Sequence, residues 1–214
     1  MLALFDLDGT ITRHDTLAAY LAGFLRRHPG RALRVPQALP ELTRFVLGRA
    51  GHGELKSAWL RAVLGGRTRD ELEAWTAQFV PHLIRHGLFA AAVAAAGAHR
   101  EAGDLLVLMS ASPDLYVPAI GRALGFALTR CTGVEWQEDR LTGRLATANL
   151  RGAEKARCLQ ALRHEHPGLA VVAYANAASD LDHLALADRA ALVNGSSRAR
   201  REAARRGIAR LTWQ

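Results

Sequence analysis

Cysteine is scarce in this 214-residue chain, which contains only Cys131 and Cys158. The two are not at a metal-ligand spacing, which argues against a thiolate metal site and fits a reducing compartment. The chain also lacks any run of about 18 uncharged apolar residues, so no transmembrane span is expected. Because the first apolar strand already begins at Leu2, the sequence leaves no room for a signal peptide, and we expect a cytoplasmic protein.

Acidic residues are outnumbered, 20 against 28 lysines and arginines, which gives a net charge of +8. Much of the excess lies between Arg198 and Arg210, where we predict a surface helix ending near Arg206 and then a short strand. No helix-turn-helix, zinc or RNA-binding signature accompanies the charge, so nucleic acid is not an expected partner. A basic surface would suit steering of anionic substrates, and peripheral contact with anionic lipid remains an unsupported alternative.

Apolar runs alternate with helical patterns along most of the chain. Half of the residues are hydrophobic, which is enough for a sizeable core. The predicted strands cover residues 2–7, 104–110, 127–131, 169–174, 189–194 and 208–213. Strands separated by helices indicate an α/β fold with a doubly wound parallel sheet.

One long stretch, between residues 17 and 79, has apolar residues at helical spacing and no comparable strand. We therefore expect an α/β core formed by residues 1–15 and 86–214 and an inserted α-helical cap formed by residues 16–85. Such a cap would lie over the carboxyl ends of the strands, where open α/β sheets bind ligands. The sequence leaves open whether the protein is a monomer or a homodimer.

Two carboxylates follow the first predicted strand, in the sequence Asp6-Leu7-Asp8-Gly9-Thr10. Because alternate side chains of a strand share a face, Asp6 and Asp8 are predicted to point the same way. Facing carboxylates repel each other unless a cation lies between them or they share a proton. Mg²⁺ is the natural candidate, since it is held by a few oxygens together with substrate phosphate.

The apolar run 105–109 ends at Ser110 and is followed by Ser112-Pro113. The run predicts a buried parallel strand, and we interpret Ser112-Pro113 as the N-cap and first position of a helix that continues to about Leu124. Ser110 would then lie beside a helix N-terminus, whose free N–H groups favour phosphate. Taken alone, a strand-end hydroxyl without such a role is the commoner case.

Lys155 lies in the first turn of a predicted helix that continues through Leu162. The helix dipole disfavours a cation in that turn, so the lysine indicates a neighbouring negative charge. Taken alone, a lysine on a helix is usually a solvated surface residue. A further buried-strand pattern, 169–174, precedes Asn176 and Asp180. Asn176 can offer an oxygen to Mg²⁺, and Asp180 suits an N-cap of the next helix.

Together these segments resemble the motifs of the haloacid dehalogenase (HAD) superfamily of phosphohydrolases. The sequence Asp6–Thr10 resembles motif I, Ser110 the phosphate-binding residue of motif II, and Lys155 the cation of motif III. Motif IV usually reads G-D-x-x-x-D, and here Asn176 replaces its first acid whereas Asp180 retains the second. Because Asn176 removes one negative charge, weaker metal binding is expected.

The resemblance is closest to the phosphoserine-phosphatase-like branch, subfamily IB. In that branch a hairpin-like segment precedes the motif III lysine, as residues 132–133 and 139–143 do here. The resemblance implies a Rossmann-like HAD core with an inserted helical cap.

The resemblance also implies a Mg²⁺-dependent phosphatase that hydrolyses a small-molecule phosphate monoester through an aspartyl-phosphate. Asp6 would be the nucleophile, and Asp8 the general acid and then the general base. Mg²⁺ would be bound by the Asp6 carboxylate, the Asp8 backbone carbonyl and the Asn176 side chain, while Ser110 and Lys155 would bind phosphate oxygens.

Asp180 would hold the metal through water or orient Lys155. Two other functions stay open at this point. The enzyme would be a phosphotransferase if an alcohol rather than water accepted the phosphoryl group. It would be a phosphate-binding protein with an impaired site if Asn176 prevented metal binding.

Substrate selection is expected to lie in the cap. Phosphoserine is one candidate, and a larger phosphate ester of a sugar, histidinol or lipid is another. A phosphoserine site needs an acid for the ammonium group, for which Asp15, Glu41 and Glu54 are the candidates. The other candidate contacts in the cap are Arg26, Arg27, Arg34, Arg44, Lys56 and Trp59.

Overall fold

Six parallel strands form the central sheet of the computed structural model, which describes residues 1–214. The chain has eight strands in all: β1 (Leu2–Phe5), β2 (Leu105–Pro113), β3 (Leu128–Thr132), β4 (Val134–Gln137), β5 (Arg140–Leu145), β6 (Val171–Ala175), β7 (Arg189–Val193) and β8 (Ala209–Leu211). The sheet order is β3-β2-β1-β6-β7-β8, and β4 and β5 form a separate antiparallel hairpin. The predicted doubly wound parallel sheet is confirmed.

Nine α-helices surround the sheet. They are α1 (Thr16–Arg27), α2 (Leu39–Val46), α3 (His52–Leu64), α4 (Arg69–His86), α5 (Ala90–Glu101), α6 (Val117–Ala123), α7 (Ala153–Glu165), α8 (Leu181–Ala185) and α9 (Ser197–Arg205), with 3₁₀ segments at Pro29–Ala38 and Ala178–Asp180. No helix is both long enough and apolar enough to cross a bilayer.

Strand β1 occupies the middle of the sheet, between β2 and β6. Its four residues are all apolar and buried because helices cover both faces of the sheet. Phe5 belongs to the hydrophobic cluster on one face, and Leu4 belongs to the cluster on the other. The strand order changes direction at β1, so the loop after this strand opens into the crevice where such sheets bind ligands.

The segment between β1 and α5 contains α1 to α4 and the first 3₁₀ segment, but no strand. Its aromatic side chains pack onto the sheet side of the molecule: Tyr20 stacks on Tyr116, with ring centroids 4.6 Å apart, and contacts Trp75 and Phe79. Residues from both parts share one hydrophobic cluster. The helical insertion is thus present, whereas the exact division into residues 1–15 and 86–214 and residues 16–85 stays a prediction.

The helix predicted to begin at Ser112-Pro113 begins instead at Val117, so that interpretation is wrong. Strand β2 continues to Pro113, which pairs with Thr132 of β3 after a shift of register. The backbone N–H of Asp114 then donates to the Thr132 carbonyl over 2.9 Å. Continued pairing with β3 therefore keeps Ser112 in the strand, and the helix that was expected next to Ser110 begins only at Val117.

The hairpin β4–β5 lies against helix α3. Gly143 of β5 has φ +83°, and a Cβ at this position would be 2.4 Å from the Cα of Arg61 in α3. Glycine is thus required both by the backbone conformation and by the close approach. The predicted surface helix also forms, as α9, with the Ser196 side chain accepting from Ala199 N at 3.3 Å.

Candidate active site

A cavity of about 240 Å³ lies at the carboxyl ends of β1, β2 and β6 and is lined on the other side by residues of α1 and α3. Four carboxylates line it, those of Asp6, Asp8, Asp15 and Asp180. The site thus brings together the two acids after β1 and the acid after β6, as parallel strands with adjacent ends would do.

Asp6 continues the pairing of β1, because its backbone N–H donates to Tyr174 O at 2.9 Å. The residue is 7% exposed. One carboxylate oxygen accepts from Lys155 Nζ at 2.6 Å, and the other accepts from Thr10 Oγ1 at 3.1 Å. Burial raises the pKa of Asp6 to about 6, even though the neighbouring Lys155 charge lowers it.

Asp8 is held by two donors on opposite sides of its carboxylate. The Thr16 backbone N–H, at the start of α1, donates to Oδ1 at 2.6 Å. The Ser112 hydroxyl of β2 donates to Oδ2 at 2.7 Å. Burial raises the pKa of Asp8 above its ordinary value, and the bonds from Ser112 and Thr16 partly offset that rise.

The turn after Asp8 brings Asn176 next to the two acids. Gly9 has φ +76°, and a Cβ there would be 2.0 Å from the Asn176 side-chain nitrogen. Only glycine fits such a conformation and such a close approach. Asn176 lines the cavity together with Asp6 and Asp8.

Lys155 lies in the first turn of α7 and is 2% exposed. Its Nζ is 2.6 Å from Asp6 Oδ1 and 3.0 Å from Asp180 Oδ1. Burial lowers the pKa of Lys155, but the charges of Asp6 and Asp180 raise it by more, so the side chain is held as a cation. The neighbouring negative charge that the sequence indicated is present on both sides of this lysine.

Asp180 accepts a hydrogen bond from Ala177 N at 3.2 Å and makes no capping bond to α8. Its other oxygen contacts Lys155. The geometry therefore connects Asp180 to the lysine. Beside it, burial lowers the pKa of His183 to about 4, so this imidazole adds no positive charge near neutral pH.

Ser110 is fully buried, and its hydroxyl accepts from Ser112 N at 3.0 Å. The cavity wall at this point is made by the next two residues, Ala111 and Ser112. Ser112 was not among the residues predicted for the site, because the helix predicted there placed it at an N-cap. The alternation of side chains along a longer β2 was the signal that could have found it.

The cap contributes a half-buried cation to the cavity. Lys56 of α3 donates to Ala111 O and to Asn149 Oδ1. Burial lowers its pKa to about 8, although the charges of Asp8 and Asp15 oppose that shift. The lysine is thus a cation near neutral pH on the wall that faces the two acids.

Of the cap residues considered from the sequence, Asp15, Lys56 and Trp59 line the cavity. The others do not: Arg34 donates to Gly65 O, and Arg44 pairs with Glu41 on the surface. The remaining residues that do not line the cavity are Arg26, Arg27 and Glu54. Two basic residues that the sequence did not single out, His52 and Arg151, also line it.

The oxygen donors of this site fit a hard divalent cation. Asp6, Asp8 and Asp180 bring three carboxylates to the cavity, and Lys155, which contacts Asp6 and Asp180, balances only part of their negative charge. No group of three or more His, Cys, Asp and Glu side chains is arranged to hold a metal alone. A site here would use the Asp8 carbonyl and the Asn176 amide together with a carboxylate, which are ligand types that Mg²⁺ accepts.

The comparison with protein families agrees with this geometry. The family model for haloacid dehalogenase-like hydrolases matches residues 3–185, and the chain therefore belongs to that family. The resemblance to this superfamily that was seen in the motifs is thereby confirmed.

Among curated proteins, Protein CicA of Caulobacter vibrioides is 34% identical over 193 residues, which are 88% of this chain and 83% of CicA. Phosphoserine phosphatase SerB1 of Mycobacterium tuberculosis is 26% identical over 211 residues, 96% of this chain and 68% of SerB1. The chain is thus similar to these proteins over most of its length.

Among solved structures, a protein of unknown function from Bordetella pertussis Tohama I has a TM-score of 0.82 at 29% identity, covering 98% of this chain and 97% of that one. A phospho-aspartyl intermediate analogue of phosphoserine phosphatase has a TM-score of 0.67 at 16% identity, covering 99% and 92%. At that identity the second likeness shows a shared fold only.

Proposed function

We propose that this protein is a Mg²⁺-dependent phosphatase that hydrolyses a small-molecule phosphate monoester through an aspartyl-phosphate on Asp6. The observation that carries the proposal is the buried contact of Asp6 with Lys155, which is 2.6 Å long. The second acid, Asp8, lies beside this pair and has no lysine or arginine within salt-bridge distance. The lysine keeps one Asp6 oxygen in place, and Asp8 is free to exchange a proton.

In this proposal Asp6 attacks phosphorus and forms the new P–O bond while the bond to the leaving oxygen breaks. Asp8 donates its proton to that leaving oxygen, and the alcohol departs. Asp8 then accepts a proton from the water that attacks the aspartyl-phosphate, which restores Asp6 and releases phosphate. Lys155 balances the negative charge on the transferred group.

Mg²⁺, when bound by Asp6, the Asp8 carbonyl and Asn176, would supply further charge neutralisation at the phosphoryl oxygens. Ser110 retains its proposed role in phosphate binding, although its hydroxyl is buried behind Ala111 and Ser112. A shift of the β2 end would be needed to bring that hydroxyl to the phosphate, whereas the Ser112 hydroxyl is already at the cavity.

The cavity favours a small ester with a second anionic group. Its volume of about 240 Å³ has room for a phosphate and a short carbon chain. Lys56 and Arg151 would bind the second anion, and Asp15 would bind an ammonium group. A phosphoserine-like metabolite has a carboxylate for Lys56 and Arg151 and an ammonium group for Asp15. The name of the relative SerB1 agrees with this choice.

The test is phosphate release from p-nitrophenyl phosphate and from a panel of metabolite phosphates that includes phosphoserine, each with Mg²⁺ or with EDTA. We expect turnover only with Mg²⁺, and a loss of at least about 10³-fold in kcat for Asp6→Asn, because the amide cannot act as the nucleophile.

A matched control is Asp182→Asn, since this acid is on the surface of α8, away from the cavity, and pairs with Arg206. It should keep full activity. Phosphate release that survives EDTA or Asp6→Asn would contradict the proposal. Transfer of phosphate to added alcohols at the expense of release would identify a phosphotransferase, and metal-independent phosphate binding without turnover would identify a binding protein.

A further inference from the structure

Ser112 makes the shortest contact between β2 and the two acids after β1. Its hydroxyl donates to Asp8 Oδ2 at 2.7 Å, and the residue is 5% exposed. On the other side of the carboxylate, the Thr16 backbone N–H donates to Oδ1 at 2.6 Å. One donor thus belongs to the sheet and the other to the first turn of the cap helix α1, so the carboxylate is held from both parts of the molecule.

The position of Ser112 is itself fixed. Its backbone N–H donates to Ser110 Oγ at 3.0 Å, which ties it to the buried strand. Its hydroxyl is 3.3 Å from Thr16 Oγ1, and Thr16 Oγ1 is 3.1 Å from the hydroxyl of the fully buried Tyr116. Because an ionised carboxylate only accepts, the Ser112 hydrogen points at Asp8 when that acid is charged.

We propose that Ser112 is the positioning residue for Asp8 in the proton transfer to the leaving oxygen. An aspartate carboxylate rotates over a broad range about its last torsion, so without a second donor Asp8 would sample orientations that do not reach that oxygen. With Ser112 and Thr16 in place, one orientation is kept. As the P–O bond to the leaving group breaks, the Asp8 proton moves to the leaving oxygen, and the resulting carboxylate keeps both hydrogen bonds. This inference rests on the proposed function.

The test measures kcat/KM of the Mg²⁺-supplemented enzyme for a series of aryl phosphates, from p-nitrophenyl phosphate, a good leaving group, to phenyl phosphate, a poor one. This ratio reports the steps up to release of the alcohol and omits hydrolysis of the aspartyl-phosphate. We expect Ser112→Ala to lose about tenfold or more on phenyl phosphate, a part of the 10²–10⁴ that general acid catalysis contributes, and little on p-nitrophenyl phosphate. Its rate would thus depend more steeply on leaving-group pKa.

Two further variants separate this role from packing. Ser112→Cys keeps the size of the side chain but has a weak donor, so it should behave like Ser112→Ala, whereas Ser112→Thr keeps the hydroxyl and should restore the shallow dependence. Ser179→Ala is the control, because the Ser179 hydroxyl is also buried but has no hydrogen-bond partner. That variant should match the wild type.

The outcomes are distinct. If the wild type hydrolyses the series and Ser112→Ala or Ser112→Cys loses activity equally on every leaving group, or on none, the positioning role is wrong although the phosphatase assignment stands. If the wild type hydrolyses none of the series with Mg²⁺, the proposed function fails and the role of Ser112 fails with it.

Discussion

The two walls of the cavity are built differently. On the sheet wall, Asp6, Lys155 and Asp180 are all under 10% exposed, and Lys155 contacts each of the two acids within 3.0 Å. On the cap wall, Lys56 is only partly buried and reaches the cavity along a flexible side chain from α3. The sheet wall is thus suited to chemistry that needs fixed geometry, and the cap wall to selection of the part of the substrate that varies.

Removing the Lys155 cation should destabilise the sheet wall and lower its activity. Lys155→Ala leaves Asp6 and Asp180 buried without a positive partner, which costs about 3–5 kcal/mol in the free energy of unfolding. Activity should fall at least about 10²-fold, because the charge on the transferred group loses its stabiliser. Urea unfolding and phosphate release measure the two effects.

A surface ion pair provides the matched comparison. Arg130 and Glu165 are 2.7 Å apart, but their side chains are 35% and 48% exposed. Glu165→Gln should therefore change the free energy of unfolding by no more than about 1 kcal/mol. If Lys155→Ala and Glu165→Gln lowered the free energy of unfolding equally, burial would not make the ion pairs of the sheet wall stronger than a surface pair.

The difference between the walls also explains what could be predicted from the sequence. Strand β1 and its two acids were predictable, because a buried parallel strand is continuously apolar and its end is marked by Asp6, Asp8 and Gly9. The end of β2 was not, since Ser112-Pro113 is an equally good helix start and only pairing with β3 decides between them.

The cap wall was harder to predict. Arginines and lysines on amphipathic helices have no periodic signal that separates a cavity contact from a solvated face. Arg44, for example, pairs with Glu41 on the surface, whereas Lys56 turns into the cavity. Arg151 was missed because it lies in an irregular stretch before α7, where its position depends on tertiary packing.

Lys56→Met tests whether the cap wall selects the variable part of the substrate. The substitution keeps the length of the side chain and removes its charge. We expect KM for phosphate esters with a second anionic group to rise about tenfold, as for the loss of one charged hydrogen bond, while KM for p-nitrophenyl phosphate changes little. An equal rise for both substrates would place Lys56 at the phosphate instead.

The same lysine predicts a dependence on pH. A lysine with its pKa lowered to about 8 is charged below that pH and neutral above it. KM for phosphate esters with a second anionic group should therefore rise as pH increases through 8. The other charged groups that line the cavity are Asp6, Asp8, Asp15, Arg151, Lys155 and Asp180, whereas burial lowers the pKa of His52 and keeps it neutral in this range. The wild-type rise should be absent in Lys56→Met, whose KM is already high below pH 8.

Asn176→Asp should produce the smallest change. The substitution restores a carboxylate beside Asp6 and Gly9, and the Mg²⁺ concentration for half-maximal activity should fall several-fold because a carboxylate binds this ion better than an amide does. Maximal activity at saturating Mg²⁺ should be kept. Ala177→Ser, a polar change at the next residue of the same loop, serves as the control. An Asn176→Asp variant with unchanged Mg²⁺ dependence would mean that residue 176 is not a ligand, and the metal would then depend on the acids of the sheet wall alone.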